Sequence, residues 1–337
     1  MKEASFYTSI SRNRTACALC PHNCIITEGQ RGICGVRINK KGVLFTEVYG
    51  RPVSINSDPI EKKPLYHFYP GHQILSIGTL GCNLKCNFCQ NCEISQASGA
   101  DQSFTPKKSL DEILLLVEEK QKNIGLAYTY NEPIIFYEYM TDLAINVHKK
   151  GLKNVMVSNG FINQEPLFHL LNLIDAFNID LKSFENEFYK KYTHSNIEPV
   201  LNSIKTIFNS GKHLELTFLV IPGLNDNQEV FDEMTDWIVK ETSNKTVLHI
   251  SRYFPRYQMH LPPTPFKTME ALYHRARKKL DFVYVGNTPE TIGQDSYCPV
   301  CQSILLKRKG YYTTNDGLDK LGSCIKCHEK VIKYMTT

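Results

Sequence analysis

The sequence predicts an α/β fold built on a parallel sheet, with small cysteine-rich segments at its two ends. Three observations carry that expectation. From about residue 73 to 286, short β-rich runs alternate with longer helical ones. Six or seven such units suit a barrel or an incomplete barrel, and no Gly-x-Gly-x-x-Gly opens a helix to support a Rossmann dinucleotide site. The twelve cysteines fall into three groups of four, one before this region, one within it and one after it.

Composition sets the bounds. At 337 residues with 42% hydrophobic content, the chain is long enough for one barrel-sized domain with appendages. The formal charge is +5, from 39 basic and 34 acidic residues, and no basic block is longer than Lys307-Arg308-Lys309. Nucleic-acid binding is therefore not indicated. No apolar run approaches membrane-spanning length, and Met1-Lys2-Glu3-Ala4 opens neither a signal h-region nor a lipidation motif. The expectation is a soluble, cytoplasmic protein without a membrane partner. Close-spaced cysteines in a chain this large read as metal sites in a reducing compartment, anaerobic or strongly reducing, and not as a disulfide framework.

Residues 1–72 are predicted to form a cysteine-rich N-terminal segment, irregular and turn-rich up to about residue 70. In it Cys17, Cys20, Cys24 and Cys34 suit a small metal site, zinc or an iron–sulfur cluster, or else a reduced, metal-free knuckle. His22, beside four cysteines, reads as a bystander. Residues 43–48 read as a strand and 58–71 as a proline-rich connection. Residues 73–288 are predicted to be the partial barrel. Its strands are expected at 74–78, 125–129, 154–158, 176–181, 215–220, 247–251 and 282–285. Helices are expected near 109–122, 133–150, 164–173, 198–210, 228–242 and 268–280. Ser109 and Glu112 form a capping box, and Pro133 stands where a helix tolerates the missing N–H. Residues 289–337 form the tail. Its two C-x-x-C pairs, Cys298/Cys301 and Cys324/Cys327, flank a β-rich 303–312 and suggest a zinc-ribbon or rubredoxin-like site, more zinc than iron and structural in role. Such pairs usually carry a glycine after the second cysteine, and Gln302 and His328 stand there instead.

The centre of the reading is the loop after the first barrel strand, where Cys82, Cys86 and Cys89 stand at C-x-x-x-C-x-x-C spacing. A zinc knuckle begins with two cysteines and finds its second pair elsewhere. Three thiolates on one loop suit three corners of a 4Fe–4S cluster, which usually takes four, so one iron is left open. The alternative is three structural or zinc-binding cysteines. In parallel barrels the chemistry lies at the carboxyl ends of the strands. There the sequence places Asn131-Glu132, Ser158-Asn159-Gly160, Asp180-Leu-Lys182, an Ile221–Asp226 turn and His249-Ile-Ser-Arg252. Glu132 could accept from an ammonium group or simply favour a helix start. Asp180 and Lys182 form either a salt-bridged strand end or a pair of ligand contacts. Arg252 and His249 are candidates for carboxylate or ribose contact, a lone histidine there being more often a core residue. Tyr128, Tyr130 and Phe161 read as core or rim aromatics.

The cysteine loop, the strand before it and Phe88 just before Cys89 resemble the signature of the radical S-adenosylmethionine (SAM) superfamily. The strand-end motifs occur in the order seen in pyruvate formate-lyase activating enzymes. Together with the N-terminal cysteines, Tyr128-Thr-Tyr-Asn-Glu-Pro133, the His249 stretch and the tail pairs, they are similar to the AmmeMemoRadiSam system radical SAM proteins, over about residues 14–330. The resemblance implies an incomplete (β/α)6 barrel, a 4Fe–4S cluster on Cys82, Cys86 and Cys89 that binds SAM, and 5′-deoxyadenosyl radical chemistry. It implies that Asn131, Glu132, Ser158, Asn159, Asp180, Lys182 and Arg252 bind or flank SAM, with Glu132 touching its amino group. A reduced flavodoxin or ferredoxin would donate the electron, and the cysteines at the two ends would hold zinc or a second cluster. The substrate stays open among a small molecule, a peptide and a protein. One alternative is an activase of a glycyl-radical partner protein, and another is a non-enzymatic iron–sulfur or zinc electron-transfer or scaffold protein. Three positions depart from the pattern: Cys92 stands where a large aromatic is expected, Phe254 where a histidine is frequent, and Pro289–Gly293 where Gly-His is usual.

Overall fold

A computed structural model of the chain describes residues 1–119 and 122–335. Its centre is one eight-stranded sheet in strictly sequential order. The strands are β1 (Ser54–Pro59), β2 (Gln73–Gly78), β3 (Asn123–Tyr128), β4 (Lys153–Ser158), β5 (Ala176–Asp180), β6 (His213–Val220), β7 (Val247–Arg252) and β8 (Val283–Gly286). All neighbours from β2 to β8 pair in parallel, and β1 lies antiparallel on the edge. Six helices cross between the parallel strands: α1 (Leu110–Glu119), α2 (Tyr137–Lys149), α3 (Gln164–Leu171), α4 (Glu198–Asn209), α5 (Gln228–Glu241) and α6 (Phe266–Ala276). Each strand is covered by helices outside and side chains inside, which is why β2 and β3 are buried at five of six positions and read as apolar runs without alternation. Among the described residues β8 does not pair back with β1, so the barrel is incomplete.

All seven parallel strands and all six helices overlap the ranges expected from the sequence. The capping box forms as expected, with Ser109 N donating to Glu112 Oε2 at 2.8 Å and Glu112 N to Ser109 Oγ at 3.2 Å. The expected end of that helix at 120–121 falls outside the described residues. The helix expected at 133–150 is instead a 3-10 turn, Pro133–Phe136, followed by α2, because Glu132 caps a tight first turn by accepting from Ile134 N. Edge strand β1 is a departure: Asp58 and Pro59 close a strand where a connection was expected. Proline is tolerated there because it ends an edge strand.

The first 50 residues are also more regular than expected. They form two three-stranded antiparallel sheets, Tyr7–Ser11 with Arg14–Cys17 and Ile25–Thr27, and Lys2–Glu3 with Val43–Thr46 and Arg37–Lys40. These strands have two to five residues, too short to show a period in the sequence. They pack on α2: Phe6 meets the Tyr137 ring edge-on at 5.2 Å, and the buried Arg37 guanidinium pairs with Glu138.

The barrel floor is a polar junction. Residues 60–68 run beneath the amino ends of the strands, where Ile60, Leu65 and Phe68 pack with Ile124, Val155 and Ala176. The buried Glu215 carboxylate of β6 collects four donors there: Tyr66 N at 2.9 Å, His67 N at 2.7 Å, His213 Nε2 at 2.8 Å and His249 Nε2 at 2.6 Å. Next to it His67 bonds Tyr284 Oη at 2.6 Å, and Arg308 of the tail lies 4.2 Å over the Tyr66 ring while donating to Tyr66 O at 3.0 Å. The tail itself is a three-stranded sheet of Ser296–Tyr297, Ile304–Lys309 and Tyr312–Asn315. Among the described residues no helix is long and apolar enough to cross a membrane.

This floor makes the fold acid-sensitive in two windows. Burial lowers His67 to about 3 from its usual 6.5, so the unfolded chain binds a proton that the folded one refuses, and stability falls as pH drops below about 6.5. Burial works to raise Glu215, but the His213 and His249 bonds more than reverse it and hold it well below 4.5. Its contribution is therefore present above pH 4.5 and lost as pH falls through the depressed value. Urea unfolding followed against pH should show less loss of stability between pH 6.5 and about 4.5 in His67→Phe than in the parent. An unchanged slope in that window would rule out the buried, neutral His67.

Candidate functional site

A cleft of about 520 Å³ opens at the carboxyl ends of the strands. The loop after β2 brings Cys82, Cys86 and Cys89 to its wall, and the loop after β3 brings Thr129, Tyr130 and Asn131. Ser158 and Asn159 stand at the end of β4, Asp180 and Lys182 at the end of β5, and Thr217 and Ser251 on β6 and β7. The approach to the cysteine loop depends on Gly81, whose φ of +90° lies in the left-handed region. A Cβ on Gly81 would sit 2.6 Å from both Cys34 O and Val36 Cγ1, so the N-terminal segment lies flush against this loop.

Burial raises the thiols, Cys86 up to about 12 and Cys82 well above its usual value, so metal binding here must release protons. The sulfurs have local partners: Leu84 N donates to Cys82 Sγ at 3.3 Å, and Ser95 Oγ lies 3.1 Å from Cys89 Sγ. Cys92 opens a short helix, Cys92–Ser95, and does not line the cleft.

Lys182 Nζ donates to Asp180 Oδ2 at 2.8 Å, and both side chains face the cleft. Burial works against the Lys182 charge, but Asp180 and the nearby Cys86 raise its pKa, so it stays an ammonium. Two groups hold this lysine in place, one from the Ile221–Asp226 turn and one, Tyr189, not singled out from the sequence. Asn225 Nδ2 donates to Lys182 O at 2.8 Å, and Tyr189 Oη accepts from Lys182 N at 3.0 Å. The Asn225 amide is the polar end of the Ile221–Asp226 turn and also accepts from Ile221 N at 2.6 Å.

Glu132 is fully buried and does not line the cleft. It accepts from Ser158 Oγ and Asn159 N, each at 2.8 Å, and from Ile134 N at 3.1 Å. Burial pushes its carboxyl up to about 7. Its geometric effect is to hold the Ser158-Asn159 turn against the loop after β3. Asn159 Nδ2 in turn donates to Asn83 Oδ1 at 2.9 Å, beside Cys82. Asn131 Nδ2 donates to Gly81 O at 2.6 Å, while its Oδ1 is buried without a partner at the cleft wall. Arg252 is not brought into the cleft: its Nε donates to Thr264 O at 2.7 Å and its guanidinium lies 5.1 Å over Phe254. His249 is buried on Glu215.

The far wall of the cleft was not legible in the sequence. Asp58 of β1 accepts from Lys62 Nζ at 2.8 Å, Lys63 Nζ at 2.6 Å and Tyr130 Oη at 2.6 Å. Burial lowers Lys63 to about 8. Lys62, Thr217 and Ser251 also line a second cavity of about 510 Å³, which extends to Asn287 and to Gly310-Tyr311 of the tail.

At the tail, Cys298, Cys301, Cys324 and Cys327 place their sulfurs all within 4.8 Å of one another, with Cys298–Cys327 at 3.4 Å and Cys301–Cys324 at 3.6 Å. A Zn–S bond of about 2.3 Å sets a tetrahedral edge of about 3.8 Å, so the group fits one ion. Gln302 and His328 take positive φ, 57° and 64°, the conformation that explains the glycine expected after each pair. Cys17, Cys20, Cys24 and Cys34 line a separate cavity in the N-terminal segment.

Residues 76–237 match the radical SAM superfamily. An uncharacterized protein of Methanocaldococcus jannaschii is 39% identical over 334 residues, covering 98% of this chain and 99% of that one. The pyruvate formate-lyase-activating enzyme of Clostridium pasteurianum is 21% identical over 208 residues, covering 60% of this chain and 85% of that enzyme. Among solved structures, a radical SAM methyltransferase from Sphaerobacter thermophilus shares the fold at a TM-score of 0.51 and 11% identity, over 65% of this chain and 67% of that one.

The close approach at Gly81 yields a test. Gly81→Ala should lose about 2 kcal/mol or more of stability, from strain and overpacking together, and should take up less iron on anaerobic reconstitution. Gly151 is the control, because it has φ +72° with nothing within 4 Å of a Cβ, and Gly151→Ala should lose only about 1–2 kcal/mol. Equal losses in thermal unfolding would discard the contact with Cys34.

Proposed function

This chain belongs to the radical SAM superfamily, and we propose that it is an enzyme that cleaves SAM reductively to abstract hydrogen from a substrate held in the cleft. The observation that carries this reading is the convergence of Cys82, Cys86 and Cys89 on one cleft with Asn159, Asp180 and Lys182. The donor set fits the cofactors the superfamily implies: three thiols for a cluster, a fixed ammonium for a carboxylate, and an unpartnered Asn131 Oδ1 for a donor of the ligand. When bound, the 4Fe–4S cluster and SAM would together supply a 5′-deoxyadenosyl radical, given one electron from a flavodoxin or ferredoxin.

The chain's own residues then have distinct tasks. Cys82, Cys86 and Cys89 hold iron as thiolates. Lys182, kept charged by Asp180, offers its ammonium to the carboxylate of SAM. Asn131, Ser158 and Asn159 present amide and hydroxyl groups at close range, while Glu132, engaged by three donors, fixes the turn that carries Ser158 and Asn159. Arg252, stacked on Phe254, flanks the mouth. The second cavity, reached past Lys62, Thr217 and Ser251, is the substrate half, and its length to Tyr311 suits a molecule or peptide larger than SAM alone. The tail quartet holds zinc and keeps the tail folded against the barrel floor.

Similarity to an enzyme named for activating pyruvate formate-lyase favours a second reading, in which the substrate is a glycine of a partner protein. A doublet glycyl EPR signal after incubation with a candidate partner, matched by 5′-deoxyadenosine, would select it. Deuterium transfer into 5′-deoxyadenosine from another metabolite or peptide would select the first.

Two variants test the core of the proposal. The triple variant Cys82→Ala, Cys86→Ala, Cys89→Ala should form no 5′-deoxyadenosine from SAM under dithionite, and retained cleavage would end this reading. Lys182→Met should weaken SAM binding about ten- to a hundred-fold, the effect of losing a charge-assisted hydrogen bond worth about 1.5–3 kcal/mol. Unchanged affinity by calorimetry would return Lys182 to a structural ion pair.

A further inference from the structure

The N-terminal quartet is not used by the chemistry just described, yet its surroundings are built for a guest. Cys17, Cys20, Cys24 and Cys34 come from a strand end, a turn and a loop, and line one cavity with apolar walls from Ile26, Ile134 and Ile135. Backbone N–H groups of His22, Ile33 and Val36 point at the sulfurs of Cys20, Cys24 and Cys34. The Arg37 guanidinium, 1% exposed, lines the same cavity, interacts with Cys34 and reaches Cys17 Sγ at 3.6 Å from Nη1. Nη1 also donates to Ser5 O at 2.9 Å, and Nη2 pairs with Glu138 of α2, so the charge is held in place from two sides.

A cation and three N–H donors facing four thiols stabilise a centre with net negative charge, which is what four thiolates make of any metal they enclose. That much suits zinc and an iron–sulfur cluster alike. Spacing separates them. Among the described residues the tail cysteines are the only group whose sulfurs all lie within 4.8 Å of one another, as a single ion requires. Neither the N-terminal four nor Cys82, Cys86 and Cys89 form such a group. A multi-iron cluster separates its thiolates more widely than a single ion does. The two open sets are also back to back: Cys34 O packs on Gly81, and His22 Nε2 bonds Asn83 O at 2.7 Å, one residue from Cys82.

We infer that Cys17, Cys20, Cys24 and Cys34 bind a second iron–sulfur cluster, not a zinc ion, directly behind the Cys82 loop. His22 is a link between the two loops and not a ligand. The inference concerns a different set of residues from the SAM site and does not depend on SAM cleavage.

The experiment removes the first site and counts what is left. The full-length triple variant Cys82→Ala, Cys86→Ala, Cys89→Ala is reconstituted anaerobically with ferrous iron and sulfide, and iron, acid-labile sulfide and zinc are measured. About two to four iron and matching sulfide per chain should remain, the content of a cluster held by four cysteines, with a signal that dithionite changes. Adding Cys20→Ser and Cys24→Ser should remove that iron and sulfide while leaving the tail metal. A second equivalent of zinc without sulfide, or no metal beyond the tail equivalent, overturns the inference. If the triple variant does not fold, Cys20→Ser/Cys24→Ser in the otherwise intact chain gives the same answer. It should lose about two to four iron relative to the parent but keep the SAM-responsive EPR signal. Iron unchanged from the parent would overturn the inference there.

Discussion

The Glu215 carboxylate is the interaction on which the rest of the architecture depends. Glu215 lies near the amino end of an interior strand with its side chain in the barrel floor, and a buried carboxylate there is destabilising unless its oxygens are satisfied. Four donors from three parts of the chain do so: His213 beside it, His249 on the next strand, and the two N–H groups of Tyr66 and His67. Removing any one would leave a charged oxygen short of a partner in a dry site. The floor is therefore specified by hydrogen bonding, where the rest of the barrel is specified by apolar contact.

The mouth works by the opposite division. Groups that face the cleft, such as Lys182 and Asn131, keep charge or hydrogen-bonding capacity in reserve, while groups behind it are fully engaged. Glu132 and Asn225 are of the second kind: each ties two loops together and leaves a neighbour to face the ligand. Strand ends supply the rigid part of this arrangement, because their backbone is fixed by pairing on both sides, and the loops need only short side-chain ties to hold register.

The sequence showed the parallel strands and helices well, since each is long enough to display a period and is bounded by turns. It also pointed to the cysteine loop and to Asn131, Ser158, Asn159, Asp180 and Lys182, which the fold brings to one cleft. Where tertiary contacts decide, it was silent. The strand Ser54–Pro59 is polar and ends in proline, so nothing marks it except pairing with Gln73–Gly78. The N-terminal strands are too short for periodicity. Glu215 reads as one acidic residue in an apolar run, and only the arrival of Tyr66 and His67, some 150 positions earlier, explains it. Lys62, Lys63 and Asp58 look like an ordinary charged connection until the fold puts Tyr130 over them. Arg252 shows the limit of reasoning from strand ends alone, since its side chain follows Thr264 and not the cleft.

Sequential strand order has a consequence for biosynthesis. Each parallel strand pairs with the one made just before it, so the sheet can lengthen from one edge to the other as the polypeptide leaves the ribosome. The floor cannot be completed that way. Tyr66 O is made early, and Arg308, its partner, emerges 242 residues later. A released chain that stopped short of Arg308 would thus keep every strand of the sheet while leaving Tyr66 and Tyr284 without the guanidinium that covers them.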